Sequence, residues 1–391
     1  MTLHLDPVAT LPADGAAGTL VGRVWRPDVD GPSVVILRED GLHYITAAFP
    51  TMRDLCEASD PAASAQKAKG ARISDLDAIL ANTPEGARDA TKPWLLAPND
   101  LQAIKAAGVT FAISLLERVI EEQARGAPEK AAAARADVEA ALGGAIEHLK
   151  PGSPEAAELK KLLQSRGLWS QYLEVGIGPD AEIFTKAPPM AAVGTGASVG
   201  ILPISQWNNP EPEIVLVVNS RGDIVGATLG NDVNLRDLEG RSALLLAKAK
   251  DNNAATAIGP FIRMFDQSFS LDDVRKAEVR LTVDGADNFR LEGVSAMARI
   301  SRDPADLVAQ LIGPHHQYPD GAVLFLGTMF APIKDRDAPG AGFTHHEGDV
   351  VTIASDQLGA LVNVVTTCEK APPWTFGAGA LMRNLAKRRL L

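Results

Sequence analysis

The chain carries the stretch EPEIVLVVNSRG at residues 211–222, followed by a second apolar run that ends at Asp232. Side chains alternate along a β-strand, so Glu211 and Glu213 point to one face. If residues 221–222 form a two-residue hairpin loop, Asp232 lies directly opposite Glu211. A three-residue loop would instead turn Asp232 to the other face.

Three carboxylates in one protected patch repel each other unless a cation neutralises them. Ligation by oxygen alone favours Mg²⁺, Ca²⁺ or Mn²⁺ over Zn²⁺. The hairpin therefore predicts a metal site formed by Glu211, Glu213 and Asp232.

The composition is that of a globular protein with a sizeable core: 391 residues, 46% of them apolar. A formal net charge of −11 disfavours non-specific nucleic-acid binding, which depends on Lys and Arg neutralising phosphates. Two cysteines, Cys56 and Cys368, are too few for a disulfide framework and fit a reducing cytoplasm. The N-terminal residues do not resemble a signal peptide, and no apolar run is long enough to span a bilayer, so no membrane association is expected.

The order of patterns predicts an α+β fold. Short β-like runs occupy residues 19–25, 33–38 and 43–48, a loop is expected at 61–70, and helices are expected at 74–81, 100–123, 128–149 and 153–164. From residue 173 onward the pattern indicates strands and turns, with helices only at 304–311 and in the C-terminal tail. The predicted domains are a β-rich N-terminal domain at 1–98, a helical lid or connector at 99–170 and a catalytic domain at 171–391.

A series of motifs in one order is more specific than any of them alone. The series is Glu182, then Glu211-Pro212-Glu213, GNDVNLRDLE at 230–239, Lys250 with Gly259-Pro260, Pro319-Asp320-Gly321 and Leu326-Gly327-Thr328. In this order the motifs resemble the fumarylacetoacetate hydrolase superfamily over about residues 178–365.

The resemblance implies a mixed β-roll catalytic domain that acts on a small-molecule 2-keto acid and forms a homodimer or homotetramer. It also implies Mg²⁺ or Mn²⁺ held by Glu211, Glu213 and Asp232, with Lys250 and Thr328 contacting the substrate. A divalent cation gripped by the carboxylate and keto oxygens of such an acid would stabilise an enolate.

One departure from the superfamily pattern narrows the range of reactions that the resemblance implies. Hydrolase members have a lid motif like Gly-x-Asn-Tyr-x-x-His-x-x-Glu, whereas residues 108–117 read GVTFAISLLE, with Ser114 in place of the histidine. Serine alone is not a general base at neutral pH, so activation of water for C–C hydrolysis is disfavoured. The stretches PDAEIFTKA at 179–187 and APIKDR at 331–336 resemble the 2-keto-3-deoxy-pentonate dehydratases of the superfamily instead.

The resulting mechanistic hypothesis is a dehydration to 2,5-dioxopentanoate. Lys250 or Glu182 removes a C3 proton, and the other residue protonates the departing C4 hydroxyl. A lysine base would require a lowered pKa. Glu117 is assigned a catalytic role on the lid, whose closure would exclude water.

Two more residues are assigned to substrate binding, Lys186 and Arg236. Lys186 shares a strand face with Glu182, while Arg236 either clamps a substrate carboxylate or pairs with Asp237 or Glu239.

Other assignments have simpler readings. Thr328 could cap a turn, Glu117 could belong to the polar face of an ordinary helix, and Lys250 could be a surface lysine on one strand face with Lys248.

Two other functions stay open at this point. An acylpyruvase or fumarylpyruvate-type C–C hydrolase would need His148 or another residue to replace the lid histidine. A non-catalytic sugar-acid sensor would need the metal cleft but not Lys250.

Overall fold

The computed structural model describes residues 3–142, 144, 146, 149–330, 332–339 and 342–391. The strands are β1 (Leu20–Arg26), β2 (Gly31–Arg38), β3 (Gly41–Tyr44), β4 (Arg72–Ser74), β5 (Trp94–Leu96), β6 (Ala103–Ala107), β7 (Ile183–Ala187), β8 (Ser198–Ile201), β9 (Asn208–Asn209), β10 (Pro212–Val218), β11 (Ile224–Asp232), β12 (Asn234–Leu235), β13 (Thr256–Met264), β14 (Glu278–Asp284), β15 (Arg290–Ala296), β16 (Ala322–Phe325), β17 (Val350–Ser355) and β18 (Gly359–Thr367). The α-helices are α1 (Pro7–Thr10), α2 (Met52–Cys56), α3 (Pro61–Lys67), α4 (Leu76–Asn82), α5 (Ala112–Ala124), α6 (Pro128–Leu142), α7 (Pro154–Ser165), α8 (Gln171–Ile177), α9 (Arg236–Glu239), α10 (Leu246–Lys250), α11 (Leu271–Lys276), α12 (Pro304–Leu311) and α13 (Ala378–Lys387). Short 3₁₀ turns occupy Pro27–Val29, Glu85–Ala87, Ala243–Leu245 and Met297–Arg299.

The larger sheet joins the N-terminal strands to the strands of the predicted catalytic domain. Its order is β4-β3-β2-β1-β13-β11-β10-β16-β6-β7, with β5 also paired to β1. β1 runs antiparallel to β13, and β6 runs parallel to β16. The division at residues 98 and 170 stays a prediction, but main-chain hydrogen bonds cross both boundaries.

The second sheet packs on the larger one and explains the continuous apolar run of β10. Its order is β15-β14-β17-β18-β8. Leu216 on one face of β10 joins the cluster that contains Leu281 and Ile353 of this second sheet, and Val215 on the other face joins Val34 of β2. A strand covered on both faces needs apolar residues at nearly every position.

The α+β class with mixed sheets is confirmed, and many elements lie where the sequence predicts them. Examples are β1, β2, β7, α4, α7 and α12. In α7, the Ser153 side chain caps the helix by accepting a hydrogen bond from the Ala156 main-chain N–H, and Pro154 lies in the first turn.

One predicted helix, residues 100–123, is wrong because it contains a strand and a helix. Its alanine-rich first part is β6, which is inserted between β16 and β7 where tertiary pairing outweighs helix propensity. Val109 then adopts φ 47°, which interrupts the chain before α5 begins.

Three more expectations differ from the structure. The loop predicted at 61–70 contains α3, because Asp60 caps it and Pro61 occupies its first turn. The lysine-bearing run near residue 250 is not a strand: Ser242 caps a 3₁₀ turn that leads into α10. Helices α8 to α11 also occur beyond or near residue 173, where only strands and turns were expected.

The helix predicted at 128–149 is α6, which the structure ends at Leu142. Residues 143, 145, 147 and 148 of that prediction lie outside the described residues. Among the helices of the described segments, none combines the length and apolar character needed to cross a membrane.

Candidate metal and catalytic site

The three predicted carboxylates converge at one end of the β10–β11 hairpin. Ligand oxygens of Glu211, Glu213 and Asp232 all lie within 4.8 Å of one another. Their residues are only 7%, 3% and 2% exposed. The expected juxtaposition is confirmed, while the role of the trio as metal ligands stays a prediction.

The strand register that aligns the trio does not come from the two-residue loop that was expected. Val218 pairs with Ile224, which leaves a five-residue loop, and a β-bulge follows before Val217 pairs with Gly226. The odd loop alone would turn Asp232 away, and the extra residue of the bulge restores the alternation. The Asp232 N–H donates to the Glu211 carbonyl over 3.1 Å, so the two residues lie opposite each other as predicted.

Two buried lysines neutralise part of this negative charge. Lys250 Nζ donates to Glu211 Oε2 over 2.7 Å and to Asp232 Oδ2 over 3.1 Å. Lys186 Nζ lies 2.9 Å from Asp232 Oδ1 and donates to the Lys250 carbonyl over 2.7 Å. Lys186 therefore holds two groups in place, the Asp232 carboxylate and the C-terminal end of α10.

Burial and charge shift the pKa values of these groups in different directions. Burial, with Asp232 and Glu211 close by, raises the pKa of Glu213 well above its usual range. Burial opposes ionisation of Asp232, but Lys186 and Lys250 outweigh it and lower the pKa of that carboxyl. The trio therefore holds one carboxyl that resists ionisation beside one that is firmly ionised.

The two lysines also differ in the direction of their pKa shifts. Burial opposes the charge of Lys250, but Asp232 and Glu211 outweigh it and raise the pKa of the ammonium. Burial lowers the pKa of Lys186. A lowered pKa was expected for a Lys250 base; without a cation in the site, this geometry favours a protonated, proton-donating Lys250 instead.

An arginine that the sequence placed only on the lid reaches the trio. Arg118 of α5 donates to Glu211 Oε1 over 2.7 Å and to Glu121 Oε2 over 2.6 Å, and lies 3.3 Å from Glu239 Oε2. Sequence reasoning gave no site role to Glu121 or Glu239. The signal was the helical spacing of Ser114, Arg118 and Glu121, which puts all three on one face of α5.

Arg236 makes neither of its expected local pairs. It donates to Glu121 Oε1 over 2.6 Å and to Glu117 Oε2 over 3.0 Å, and its guanidinium lies 4.1 Å from the ring centre of Trp207. Glu117 in turn forms an ion pair with Arg135 of α6. Glu117 and Arg236 thus tie the helical segment to the catalytic segment in this arrangement, and their predicted contacts with substrate remain predictions.

Glu182 and Thr328 line the same narrow cavity as the trio and Lys250, a space of about 30 Å³. Burial raises the pKa of Glu182, with Arg118 and Lys250 opposing the shift. A Cβ atom on Gly108 would overlap Glu182 Oε2, so a larger residue at this position would displace the carboxylate from where it lies. Thr328 Oγ1 accepts a hydrogen bond from the Phe330 N–H over 3.1 Å, which is the turn-capping contact weighed above, at the edge of the cavity.

The donor set fits a hard divalent cation. All three candidate ligands offer carboxylate oxygens. Glu213 Oε2 accepts from the Gly327 N–H over 2.7 Å, and its other oxygen has no hydrogen-bond partner among the described residues. An all-oxygen, acidic pocket with an uncommitted carboxylate oxygen favours Mg²⁺ over a softer metal.

The match to a family model covers this site. The model for the fumarylacetoacetate (FAA) hydrolase C-terminal region matches residues 171–366, which is half of the chain. The chain belongs to the fumarylacetoacetate hydrolase family. The resemblance predicted over residues 178–365 is therefore confirmed.

Curated relatives within the family are named as dehydratases. The chain is 32% identical over 196 residues to a probable 2-keto-3-deoxyxylonate dehydratase of Haloferax volcanii, a match that covers 50% of this chain and 64% of that one. It is 32% identical over 189 residues to a 2-dehydro-3-deoxy-D-arabinonate dehydratase of Saccharolobus solfataricus, covering 47% and 58%. The chain thus spans less than two thirds of the length of the curated relatives it matches.

Solved structures of the family share the fold. A 2-keto-3-deoxy-D-arabinonate dehydratase in its apo form superposes with a TM-score of 0.61 at 20% identity, covering 89% of this chain and 99% of that one. The 2-keto-3-deoxy-D-arabinonate dehydratase complexed with magnesium and 2,5-dioxopentanoate gives a TM-score of 0.60 at 20% identity and the same coverage. At this identity the likeness establishes the fold.

Ser114, which stands where hydrolase members have the lid histidine, caps the start of a helix in this chain. Ser114 Oγ donates to the Phe111 carbonyl over 2.9 Å, at the start of α5. His148, considered as a replacement base, and Ala331 of the APIKDR motif lie outside the described residues.

Proposed function

We propose that the chain is a Mg²⁺-dependent hydro-lyase that converts a 2-keto-3-deoxy-pentonate into 2,5-dioxopentanoate and water. The observation that carries this proposal is the trio of Glu211, Glu213 and Asp232, with the Lys250 ammonium hydrogen-bonded to two of the three. Such an arrangement offers a cation site and a proton donor side by side. The names of the two curated relatives support the substrate class.

When bound, a divalent cation supplies positive charge beside the carboxylate and keto oxygens of a 2-keto acid and so stabilises the enolate of that acid. The same charge makes the C3 protons more acidic. Manganese in place of magnesium, and a homodimer or homotetramer, stay predictions.

The residues around the cavity divide the remaining chemistry. Glu182 takes a C3 proton, and its raised pKa brings it closer to the range where a carboxylate is an effective base. The C4–O bond breaks as Lys250 gives its proton to the hydroxyl, which leaves as water. A C5 proton is then lost and a proton is returned to C3, so the double bond moves from C3–C4 to C4–C5, and the resulting enol tautomerises to the aldehyde.

The lid contributes by excluding water rather than by activating it. Ser114 is engaged in its own helix cap, and Arg118, Glu117 and Arg236 link α5 to the catalytic segment through buried ion pairs. A cavity of about 30 Å³ is too small for a five-carbon acid, so α5 must move outward to admit substrate and close again over it.

The test is the product formed from three substrates in the presence of Mg²⁺: 2-keto-3-deoxy-D-xylonate, 2-keto-3-deoxy-L-arabonate and fumarylpyruvate. We expect an aldehyde that retains all five carbons from one or both of the pentonates. Pyruvate released from fumarylpyruvate would establish a C–C hydrolase instead. Binding of a pentonate without any turnover would establish a sensor.

A further inference from the structure

A second cavity lies against the N-terminal strands, and none of the carboxylate trio lines it. It has a volume of about 240 Å³ and shares no lining residue with the catalytic cavity. Its walls come from β1, β5, the segment 190–194 and the C-terminal segment 372–376. Nothing in the proposed dehydration uses these residues.

Strand pairing builds an aromatic wall. Arg23 and Trp25 are two residues apart on β1 and share a face, and Trp25 pairs with Trp94 of β5. The two indole rings stack with centroids 5.9 Å apart, and Phe376 meets Trp25 edge-on at 5.1 Å. Trp374, 45% exposed, lies at the opening.

Arg23 places a poorly compensated charge in this cavity. It is 6% exposed, and its hydrogen bonds go from Nη1 to the carbonyls of Ala97 and Asn99. Its nearest carboxylate, Asp100, is 3.9 Å from Nε and already accepts the main-chain N–H groups of Met52 and others. Burial accordingly lowers the pKa of Arg23.

Arg88 adds a second guanidinium to the same cavity. It lies over the Trp94 ring at 4.7 Å, and its Nε is buried with no hydrogen-bond partner among the described residues. The nearby carboxylate of Glu85 is held by the Ser198 N–H and hydroxyl over 3.0 and 2.7 Å. Arg88 Nη2 also donates to the Thr83 carbonyl, so the hydrogen bonds of both arginines go to main-chain carbonyls. An anion in the cavity would add a carboxylate acceptor, which neither arginine has at hydrogen-bonding distance among the described residues.

We propose that this cavity is a binding site for a small aromatic carboxylate. The ring of the ligand stacks among Trp25, Trp94 and Trp374, and its carboxylate accepts hydrogen bonds from Arg23 and Arg88. Guanidinium groups recognise carboxylates through paired, charge-assisted hydrogen bonds, and an aromatic wall selects planar ligands. The volume fits one ring with an acidic group.

Tryptophan fluorescence of the full-length protein tests the proposal. Three of the five tryptophans line the cavity, so an occupant there should change the emission strongly. The probes are benzoate and indole-3-acetate, with cyclohexanecarboxylate as an anion whose ring is not aromatic and benzamide as an aromatic ring without charge. Calorimetry with the same four compounds guards against optical artefacts.

We expect saturable binding of at least one aromatic acid and at least tenfold weaker binding of both comparison compounds. Arg88→Gln should weaken binding about tenfold or more, because it removes a charge-assisted contact. Arg72→Gln, an exposed arginine of β4 outside the cavity, should bind like the wild type. Arg88 is preferred over the buried Arg23 because its replacement spares the core.

The proposal would be overturned if neither benzoate nor indole-3-acetate showed saturable binding. Equal binding of cyclohexanecarboxylate would overturn the stacking role of the tryptophans, and equal binding by Arg88→Gln would overturn the arginine site. If sedimentation shows a dimer whose dissociation changes the emission while the acids do not, the cavity belongs to a contact between two copies of the chain.

Discussion

Arg118 and Lys250 hold the two oxygens of a single carboxylate, that of Glu211. The Arg118 guanidinium lies 2.7 Å from Oε1, and the Lys250 ammonium lies 2.7 Å from Oε2. A cation that binds Glu211 would therefore be repelled at short range by both of these positive groups. The geometry makes α5, which carries Arg118, responsive to occupation of the site.

Replacement of Arg118 by glutamine should destabilise the metal-free protein and increase the stabilisation that Mg²⁺ provides. Removing one partner from a buried ion-pair network leaves a poorly compensated carboxylate, here that of Glu239, at a cost of about 3 kcal/mol, whereas Glu121 keeps its contact with Arg236. Mg²⁺ then meets less competition for Glu211. Thermal unfolding in EDTA and in a Mg²⁺ titration should show a lower Tm without metal and a larger Mg²⁺-induced rise than the wild type.

The matched control is Arg275→Gln, which removes an exposed arginine paired with Asp303. Exposed pairs contribute little, so both Tm values should stay near those of the wild type. A smaller Mg²⁺-induced rise in Arg118→Gln than in Arg275→Gln would show that Arg118 assists the cation rather than competing with it.

Replacement of Lys250 by methionine should abolish turnover without abolishing cation binding. Methionine keeps the length of the buried chain but carries no proton, and loss of a general acid or base typically slows a reaction by about 10² to 10⁴-fold. The carboxylate trio stays intact, so the Mg²⁺-induced rise in Tm should persist. The measurements are kcat for aldehyde formation and thermal unfolding with and without Mg²⁺.

Lys248→Met is the control for this variant, because Lys248 is exposed on the same short helix, α10. Its kcat should equal that of the wild type. Unchanged turnover in Lys250→Met would remove Lys250 from the chemistry and leave it a purely structural partner of Glu211 and Asp232.

The metal trio could be predicted from sequence because strand alternation is a strict local rule. The carboxylates of Glu211 and Glu213 had to share a face, and the apolar run after them had to be a buried strand. The prediction of Asp232 opposite Glu211 was right although the assumed loop was wrong. A bulge near Val218 compensates for the longer loop, and sequence spacing does not reveal such compensations.

The residues that surround the carboxylate trio could not be predicted, because their positions depend on how α5 packs. Arg118 and Glu121 are more than 85 residues from Glu211 in sequence, and no local rule orients a helix against a distant hairpin. Glu239 was visible in a recognised motif, but only tertiary structure shows that Arg118 is its partner. Likewise, the alanine-rich strand β6 reads as helix until its place between β16 and β7 is known.

Replacement of Glu213 by glutamine should separate metal binding from folding stability. Burial, together with nearby like charges, raises the pKa of Glu213, so glutamine resembles the neutral form that the metal-free site already favours. The amide oxygen can still accept the Gly327 N–H. We expect a Tm in EDTA no lower than that of the wild type and loss of the Mg²⁺-induced rise.

Glu292→Gln on the exposed edge strand β15 is the comparison for this variant, and its response to Mg²⁺ should be intact. A full Mg²⁺-induced rise in Glu213→Gln would exclude Glu213 as a ligand. A large drop of its Tm in EDTA would show instead that the ionised carboxylate stabilises the fold.

Glu239 should make the metal-free protein less stable as the pH rises. Burial raises the pKa of Glu239 to about 7 from a usual value of 4.5, although Arg118 opposes the shift. Between these two values the folded state binds more protons than the unfolded state, so the free energy of unfolding falls with increasing pH across that window and is constant outside it for this group.

Glu239→Gln cannot ionise and should lose this part of the pH dependence. Urea unfolding in EDTA at several values between pH 5 and pH 8 measures the difference: relative to the wild type, Glu239→Gln should gain stability from pH 5 up to about pH 7 and keep a constant advantage above it. Glu278→Gln, an exposed glutamate at the start of β14, should run parallel to the wild type. A Glu239→Gln curve that also runs parallel would mean that Arg118 keeps Glu239 ionised throughout this range, and that the buried network carries one more negative charge than the folded site is expected to hold near pH 6.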